Sequence, residues 1–282
     1  MSLIDDIQNN FIRRYGAVAQ IIVICVGVYL ILGIPKVILL FMGVKDSPLD
    51  IVYDFLVLFP NFNELIFKPW TIITYGFIHL NVFHILFNML WMFWMGQLLR
   101  EYQGDKVIWS TFIIGTISGG LAFILCNNFF PVGLNLRGAS AGINAIVVAA
   151  ATLLPNHTIF LFLFGAVRLK WLVLFFVALD FISITEGNPG GHISHLGGAL
   201  FGFLFIYYKK QGVDLAQPYH WFTGLFESKP KPKSSPIKIT HRKGVSTPSQ
   251  VEIDRILDKI KAVGYDKLTT EEKQTLFNAS QD

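Results

Sequence analysis

The chain has 282 residues, of which 53% are hydrophobic and only 15% are charged, and its formal net charge is +4. Soluble domains have about a quarter of their residues charged, so this balance excludes an ordinary soluble protein and indicates a membrane domain plus a small appendage. Much of the basic excess follows Lys209, and we expect no nucleic-acid partner. Cys25 and Cys126 lie in apolar runs, where buried thiols are expected rather than a disulfide.

The first predicted element is a membrane span near residues 17–34. Its apolar run is too long for a signal-peptide core and lacks a small-x-small cleavage site, so we expect it to be retained. Five further segments reach or approach the ~20 residues of a span, near 82–99, 107–127, 139–154, 170–185 and 192–208. The segment TIFLFLFGAV (158–167) could form a span with its neighbours, but Arg168 and Lys170 interrupt it. We place it at the interface or as a bent lead-in to the fifth span.

The long loop from about residue 43 to 78 is apolar and aromatic. We expect it to lie in the outer membrane interface with Trp70 and Tyr75 as anchors, and an ordinary connecting loop is the alternative. The distribution of lysine and arginine favours both termini in the cytoplasm. The inside flanks hold Arg13, Arg14, Arg100, Lys106, Arg168, Lys170, Lys209 and Lys210, and the outside loops hold Lys45, Lys68 and Arg137.

The tail changes character after residue 210. Residues 211–248 include a Pro-, Lys- and Ser-rich stretch that predicts a linker, either touching anionic lipid or simply solvated. Residues 249–282 predict a two-helix module. Its first helix carries an apolar stripe and ends at Gly264, and Thr269 and Glu272 have the spacing of a capping box. The stripe is either the module's own small core or a partner-binding face, and it consists of Ile253, Ile256, Leu257 and Ile260.

Three polar clusters interrupt the apolar segments and are candidates for function. In HILFN, His84 and Asn88 are four residues apart on one helical face, where they can stabilise a negative oxygen or make interhelical hydrogen bonds. In RGASAG, Ser140 is a nucleophile or an ordinary helix start. Its small neighbours, Gly138 among them, let a substrate or a backbone approach closely.

The third cluster, HISHLGG, combines histidines with glycines. Gly198 and Gly202 form a small-xxx-small seam that would bring the sixth span close to a neighbour, so that His195 could act as a base for a serine. Alternatives are a purely structural role, a proton or ion pathway with Asp180, and a metal site with His192. The metal site lacks the glutamate and the spacing of the HExxH motif, and we expect neither a metal nor a cofactor.

In this order, HILFN, GASAG and HLGGALFG resemble the motifs of the rhomboid family of intramembrane serine proteases, over roughly residues 15–210. KPWTIITYGFIH, ahead of the second span, looks like the family's lead-in, and the tail looks like a short helical module found in some bacterial members. The resemblance implies an all-α polytopic membrane protein, with a six-helix rhomboid bundle and a small soluble helical tail. It divides the chain into a membrane domain (1–210), a linker (211–248) and a cytoplasmic module (249–282).

The resemblance also implies a role for each matching residue. Ser140 would be the nucleophile and His195 its general base, as a dyad without an aspartate. His84, Asn88 and the Ser140 amide would form the oxyanion hole, and Gly138, Gly198 and Gly202 would pack at the site. His192 would have no required catalytic role. The implied function is endoproteolysis of transmembrane proteins near the outer face of a bacterial inner membrane, with oligomeric state open.

Three positions depart from the family pattern. The residue after the serine is usually glycine and here is Ala141, and the aromatic residue often found four after the serine is Asn144. The first loop often carries a Trp-Arg pair, whereas Trp70 is followed by Thr71. A catalytically inactive relative that binds transmembrane helices is the main alternative. A transporter would require broken spans with coupled acids, which the sequence does not show.

Overall fold

A computed structural model describes residues 5–44, 47–161, 165–225 and 249–279, apart from the side chain of Asn278. The chain divides into two compact units, Met1–Glu227 and Ser228–Asp282. The described helices of the first unit are α1 (Arg13–Phe41), α2 (Pro48–Leu56), α3 (Phe62–Phe67), α4 (Thr71–Thr74), α5 (Val82–Gln103), α6 (Asp105–Asn127), α7 (Ser140–Leu153), α8 (Leu169–Ile182), α9 (Pro189–Lys209) and α10 (Gln217–Gly224). A π-helical turn, Asp6–Ile12, precedes α1.

Three helical segments of the described residues are long and apolar enough to cross a membrane: Asp6–Phe41, which has a kink at Gly16, α5 and α6. They match the first three predicted spans, and α1 extends beyond the predicted 17–34 at both ends. Helices α7 and α8 have 14 residues each, a length of about 21 Å at 1.5 Å per residue. The 21 residues of α9 are long enough, but its glycines and histidines lower its mean hydropathy.

The segment 158–167 does not form a helix where it is described. Thr158–Leu161 (β1) pairs antiparallel with Gly165–Arg168 (β2), and Ile159 lies opposite Val167. Gly165, the first residue of β2, has a φ of 69°, a conformation that favours glycine. The expectation of an all-α fold is therefore wrong at these two strands. The alternative in which this segment forms a helical span of its own is wrong as well.

Small residues bring α6, α7 and α9 close together. A Cβ atom added at Gly115 of α6 would overlap the Ala145 side chain of α7, and one at Gly119 would lie 2.6 Å from both the Ala141 side chain and the Ser194 carbonyl oxygen of α9. Ser118 donates a hydrogen bond of 2.8 Å to the carbonyl of Gly197. In lipid, such packing replaces the hydrophobic drive that joins helices in water.

The loop at about residues 43–78 packs against these helices and does not lie only along the membrane interface. Tyr75 is 1% exposed, and its hydroxyl donates a hydrogen bond of 2.6 Å to the carbonyl of Thr116. The expectation that Tyr75 anchors the loop at the interface is therefore wrong, because the ring belongs to the packed interior. Trp70 is partly exposed, and its indole donates to the carbonyl of Phe55 at 2.8 Å.

The C-terminal unit contains α11 (Gln250–Val263) and α12 (Thr270–Ala279). Helix α11 ends at Gly264, whose φ is 85°. The predicted capping box is confirmed: the Thr269 amide donates to the Glu272 carboxylate at 2.8 Å, and the Glu272 amide donates to the Thr269 hydroxyl at 3.3 Å. On the predicted apolar stripe, Ile256 is buried and Leu257 is exposed.

Part of the predicted linker is helical, because α10 lies at Gln217–Gly224 and belongs to the first unit. The Pro-, Lys- and Ser-rich stretch at 226–248 lies outside the described residues. Both cysteines are free, and Cys25 is buried as predicted, whereas Cys126 is only partly buried.

Candidate active site

Ser140 is the first residue of α7, and the turn before it depends on Gly138. Gly138 has a φ of 121°, a conformation that residues with a side chain rarely adopt, and its amide donates to the Tyr75 carbonyl at 2.9 Å. A Cβ atom there would lie 2.7 Å from Cε1 of His84. The glycine therefore lets the His84 ring lie directly against the turn that presents Ser140.

Ser140 and His195 are in direct contact, although 55 residues separate them in the chain. Ser140 Oγ lies 2.7 Å from Nε2 of His195. Two glycines on α9 explain this approach, because a Cβ atom at Gly198 or Gly202 would overlap the carbonyl oxygen of Ala141 or Ala145, respectively. The seam noted in the sequence thus lies against α7 and brings the imidazole within hydrogen-bond distance of the serine.

Asp180 of α8 contacts the other side of the same ring. Its Oδ1 lies 2.8 Å from Nδ1 of His195 and 2.8 Å from Nδ1 of His192. The resemblance implied a serine and histidine without an aspartate, and the geometry departs from it here. From the sequence, Asp180 was considered only as part of an ion pathway. Its contact with His195 could not be read from the sequence, because it arises from the packing of α8 against α9.

His84 and Asn88 lie on the face of α5 that is directed toward Ser140. Asn81 caps this helix by accepting a hydrogen bond of 2.7 Å from the His84 amide. Asn88 is 7% exposed, and its Nδ2 lies 3.2 Å from Nε2 of His79. The Ala139 amide also donates to this nitrogen, at 3.4 Å. His79 therefore joins the α5 face to the turn before Ser140.

His79 is a site residue that sequence reasoning missed. It is buried in the loop before α5, and burial, with a smaller contribution from His84, lowers its pKa to about 4. A neutral ring fits the two donors directed at Nε2. The available signal was a further histidine five residues before His84, inside the segment KPWTIITYGFIH.

A cavity of about 230 Å³ joins these groups. Ser140, His195, His84, Asn88 and Asp180 supply its polar lining, together with Asn144. The remaining lining is apolar: Phe87, Trp91, Ile143, Val147 and Phe176. A few polar groups that converge beside an apolar wall are typical of a ligand-binding pocket.

Asn144, the departure from the family's aromatic position, is bonded to its own helix. Its Nδ2 donates to the Ser140 carbonyl at 3.0 Å. This bond supports the first turn of α7 and leaves the orientation of His195 to other groups.

Proximity alone would allow Asp180, His192 and His195 to hold a metal ion, since each offers a ligand atom within 4.8 Å of the others. A metal site at His192 and His195 was one alternative from the sequence, and we expected no metal there because the glutamate and the spacing of the HExxH motif are absent. The Nδ1 to Oδ1 distances of 2.8 Å are those of hydrogen bonds.

Comparison with known proteins agrees with the motifs. The family model of the Rhomboid domain matches residues 67–211, and that of a family of unknown function, DUF6576, matches residues 247–282. The chain is 25% identical over 199 residues to the rhomboid protease GlpG of Haemophilus influenzae, covering 70% of this chain and 93% of that protein.

Two eukaryotic relatives are similar over shorter regions. RHOMBOID-like protein 12, mitochondrial, of Arabidopsis thaliana is 27% identical over 161 residues, which are 52% of this chain and 47% of that protein. Rhomboid-like protease 3 of Toxoplasma gondii is 26% identical over 162 residues, 57% of this chain and 58% of that protein. The chain thus spans about half the length of these two relatives. Since the Rhomboid domain matches half of the chain, in a region that includes two of the three candidate spans, this multi-pass membrane protein belongs to the rhomboid family.

Proposed function

We propose that this chain is an intramembrane serine endopeptidase that cleaves transmembrane protein substrates near the outer membrane face. The observation that carries the proposal is the 2.7 Å contact between Ser140 Oγ and His195 Nε2, inside a cavity that also holds hydrogen-bond donors. Activation of a serine requires a base at this distance. Membership of a family that includes serine proteases supports the same chemistry.

The reaction begins when Ser140 Oγ attacks the carbonyl carbon of the scissile bond and its proton passes to Nε2 of His195. Collapse of the tetrahedral intermediate breaks the C–N bond, and His195 gives that proton to the leaving nitrogen. Water then attacks the acyl ester, losing a proton to His195. When the ester bond breaks, His195 returns the proton to Ser140 Oγ and the new carboxylic acid leaves.

The negative oxygen of each intermediate is stabilised by Asn88, His84 and the Ser140 amide. A carboxamide has two N–H bonds, and one on Asn88 is directed at His79, which leaves the second for the substrate oxygen. Donors fixed before the reaction are worth most in a site that excludes bulk water.

We also propose six spans, with α7, α8 and α9 completing the set that begins with the three longer candidates. A helix of about 21 Å is shorter than the ~30 Å hydrocarbon layer, so α7 begins within the membrane and presents Ser140 below the outer surface. The lysine and arginine distribution supports both termini in the cytoplasm of a bacterial cell. The C-terminal module (249–282) is then cytoplasmic, and the bilayer and substrate helices are the partners.

The test compares wild type with Ser140→Ala in detergent, using a fluorophosphonate probe and a generic transmembrane substrate. Ser183→Ala is the matched control, because Ser183 lies in the turn after α8 and does not line the cavity. We expect Ser140→Ala alone to lose both labelling and cleavage while remaining folded. Full cleavage by folded Ser140→Ala would exclude Ser140 as the nucleophile. Folded wild type that neither labels nor cleaves would favour the catalytically inactive helix-binding relative.

A further inference from the structure

The two nitrogens of the His195 ring have different partners. Nε2 lies 2.7 Å from the Ser140 hydroxyl, and Nδ1 lies 2.8 Å from Oδ1 of Asp180. A neutral histidine that accepts a proton at Nε2 must carry its own proton at Nδ1. That N–H needs an acceptor, and the Asp180 carboxylate lies within hydrogen-bond distance of it.

We propose that Asp180 is a positioning residue that acts through His195. Its carboxylate holds the ring in the orientation and the tautomer that let Nε2 accept the Ser140 proton, and it stabilises the imidazolium formed during the reaction. The chain therefore uses a Ser-His-Asp arrangement instead of a serine and histidine alone. This inference rests on the proposed function, since it assigns a role within the same site.

Other neighbours of His195 do not take over this role. The Asn144 side chain is bonded to the Ser140 carbonyl. The His84 ring packs against Gly138 and lies 5.1 Å, centroid to centroid, from the ring of His79. The contact from α8 is thus the one that fixes Nδ1 among the described hydrogen bonds of this ring.

His192 supports the carboxylate without displacing His195. Both rings direct Nδ1 at the same Oδ1, and a carboxylate oxygen has two lone pairs with which to accept. The Asp180 side chain is only 15% exposed, so its two donors replace much of the water that a carboxylate would otherwise bind. His192 lies one helical turn before His195 on α9, and its bond restricts the rotation of Asp180.

The experiment measures Asp180→Asn in the full chain, with kcat and KM for a transmembrane substrate and the rate of fluorophosphonate labelling at Ser140. Asparagine keeps the volume but removes the charge and favours the wrong tautomer. Loss of the aspartate from a Ser-His-Asp triad lowers kcat by about 10⁴ in the known serine protease example. Here we expect kcat and the labelling rate to fall together by at least about 10², with KM changed less than about twofold.

Two controls separate positioning from other effects. Glu186→Gln removes an exposed carboxylate beyond the end of α8, and we expect it to keep wild-type kcat. Dialysis of wild type against EDTA is expected to leave kcat unchanged, whereas its loss and recovery with Zn²⁺ would assign the cluster to a metal and overturn the proposal. If Asp180→Asn does not fold, Asp180→Ser is measured in the same way.

The outcomes distinguish this inference from the proposed function. If wild type is active and Asp180→Asn keeps more than half of the wild-type kcat, the role of Asp180 is overturned and the proposed function is not. A rise in KM with unchanged kcat would also overturn it, because a positioning residue acts on the chemical step. Folded wild type that neither labels nor cleaves would overturn both proposals together.

Discussion

The membrane unit and the C-terminal unit differ in what holds their helices together. In the membrane unit, glycines bring backbones into contact, as at Gly198 against Ala141, and polar side chains pair in the interior. In the C-terminal unit, a buried Ile256 is combined with a capping box and an ion pair of 2.7 Å between Lys259 and Glu272.

The proposed placement of the C-terminal unit in water and of the other unit in lipid accounts for this difference. Water drives apolar side chains together, so a short amphipathic stripe with capped ends is sufficient for a helical pair. Lipid supplies no such drive between apolar helices, and close packing and hydrogen bonds must act instead. The same close packing in the membrane unit also sets the distances between chemically active groups.

Among the substitutions that test this comparison, Asn88→Ala has the largest expected effect on turnover, because it breaks the interior pairing of polar groups. Asn88→Ala removes one donor proposed to stabilise the oxyanion, and we expect kcat to fall by about 10² to 10³. Asn128→Ala is the control, because Asn128 donates to the Ile124 carbonyl of its own helix at 2.9 Å. Steady-state cleavage of a transmembrane substrate measures both. An unchanged rate for Asn88→Ala would assign this residue to packing.

Substitution at the glycine seam tests whether close packing sets the site geometry. The Cβ atom of Gly198→Ala would overlap the Ala141 carbonyl, which is backbone and cannot rotate away. A displacement of about 1 Å between reacting groups can cost about 10² in rate, and overpacking costs about 1–3 kcal/mol of stability. We expect kcat and the thermal midpoint to fall together. Gly27→Ala on α1 is the control, since a Cβ atom there meets open space. An equal loss of kcat and thermal midpoint in both variants would contradict the role of close packing at Gly198.

Substitution of Ile256 tests the C-terminal unit in the same terms. Its side chain is 2% exposed, and we expect Ile256→Ala to lower the local free energy of unfolding by about 2–3 kcal/mol, at the lower end of the usual range for a large aliphatic residue. Amide hydrogen exchange of α11 in the full chain measures this loss. Val251→Ala, at an 80% exposed position, is expected to leave exchange unchanged. Equal exchange in the two variants would refute an apolar core at Ile256.

The smallest expected effect concerns pH and the capping box. Hydrogen bonds from Lys259 and from the Thr269 amide lower the pKa of Glu272 below its ordinary value of 4.5. A lowered folded-state pKa means that this stabilisation is present above about pH 4.5 and is lost as the pH falls through the folded-state value. We expect the first turn of α12 to exchange its amides faster below pH 4, after correction for intrinsic rates. Glu272→Gln should weaken this pH dependence, whereas Glu271→Gln should retain it.

Local patterns in the sequence predicted much of the fold and of the candidate site. Apolar length predicted the first three spans, and the Thr269 and Glu272 spacing predicted a cap that depends only on neighbouring residues. The motifs also selected Ser140 and His195 before their contact was known. The predictions of the spans and of the cap were confirmed because each depends on residue type and on spacing within a few helical turns.

The contacts of Asp180, His79 and Tyr75 were decided by the tertiary structure. Asp180 is 15 residues before His195 on another helix, and Tyr75 is 41 residues from the carbonyl that its hydroxyl contacts. Nothing in a helical period relates such positions. The pairing of β1 with β2 was missed because a short apolar run fits a strand and a helix equally well. The sequence by itself determined which groups are available for chemistry, and the packing of one helix on another decided which of them meet, because contact between helices depends on the shapes of whole surfaces.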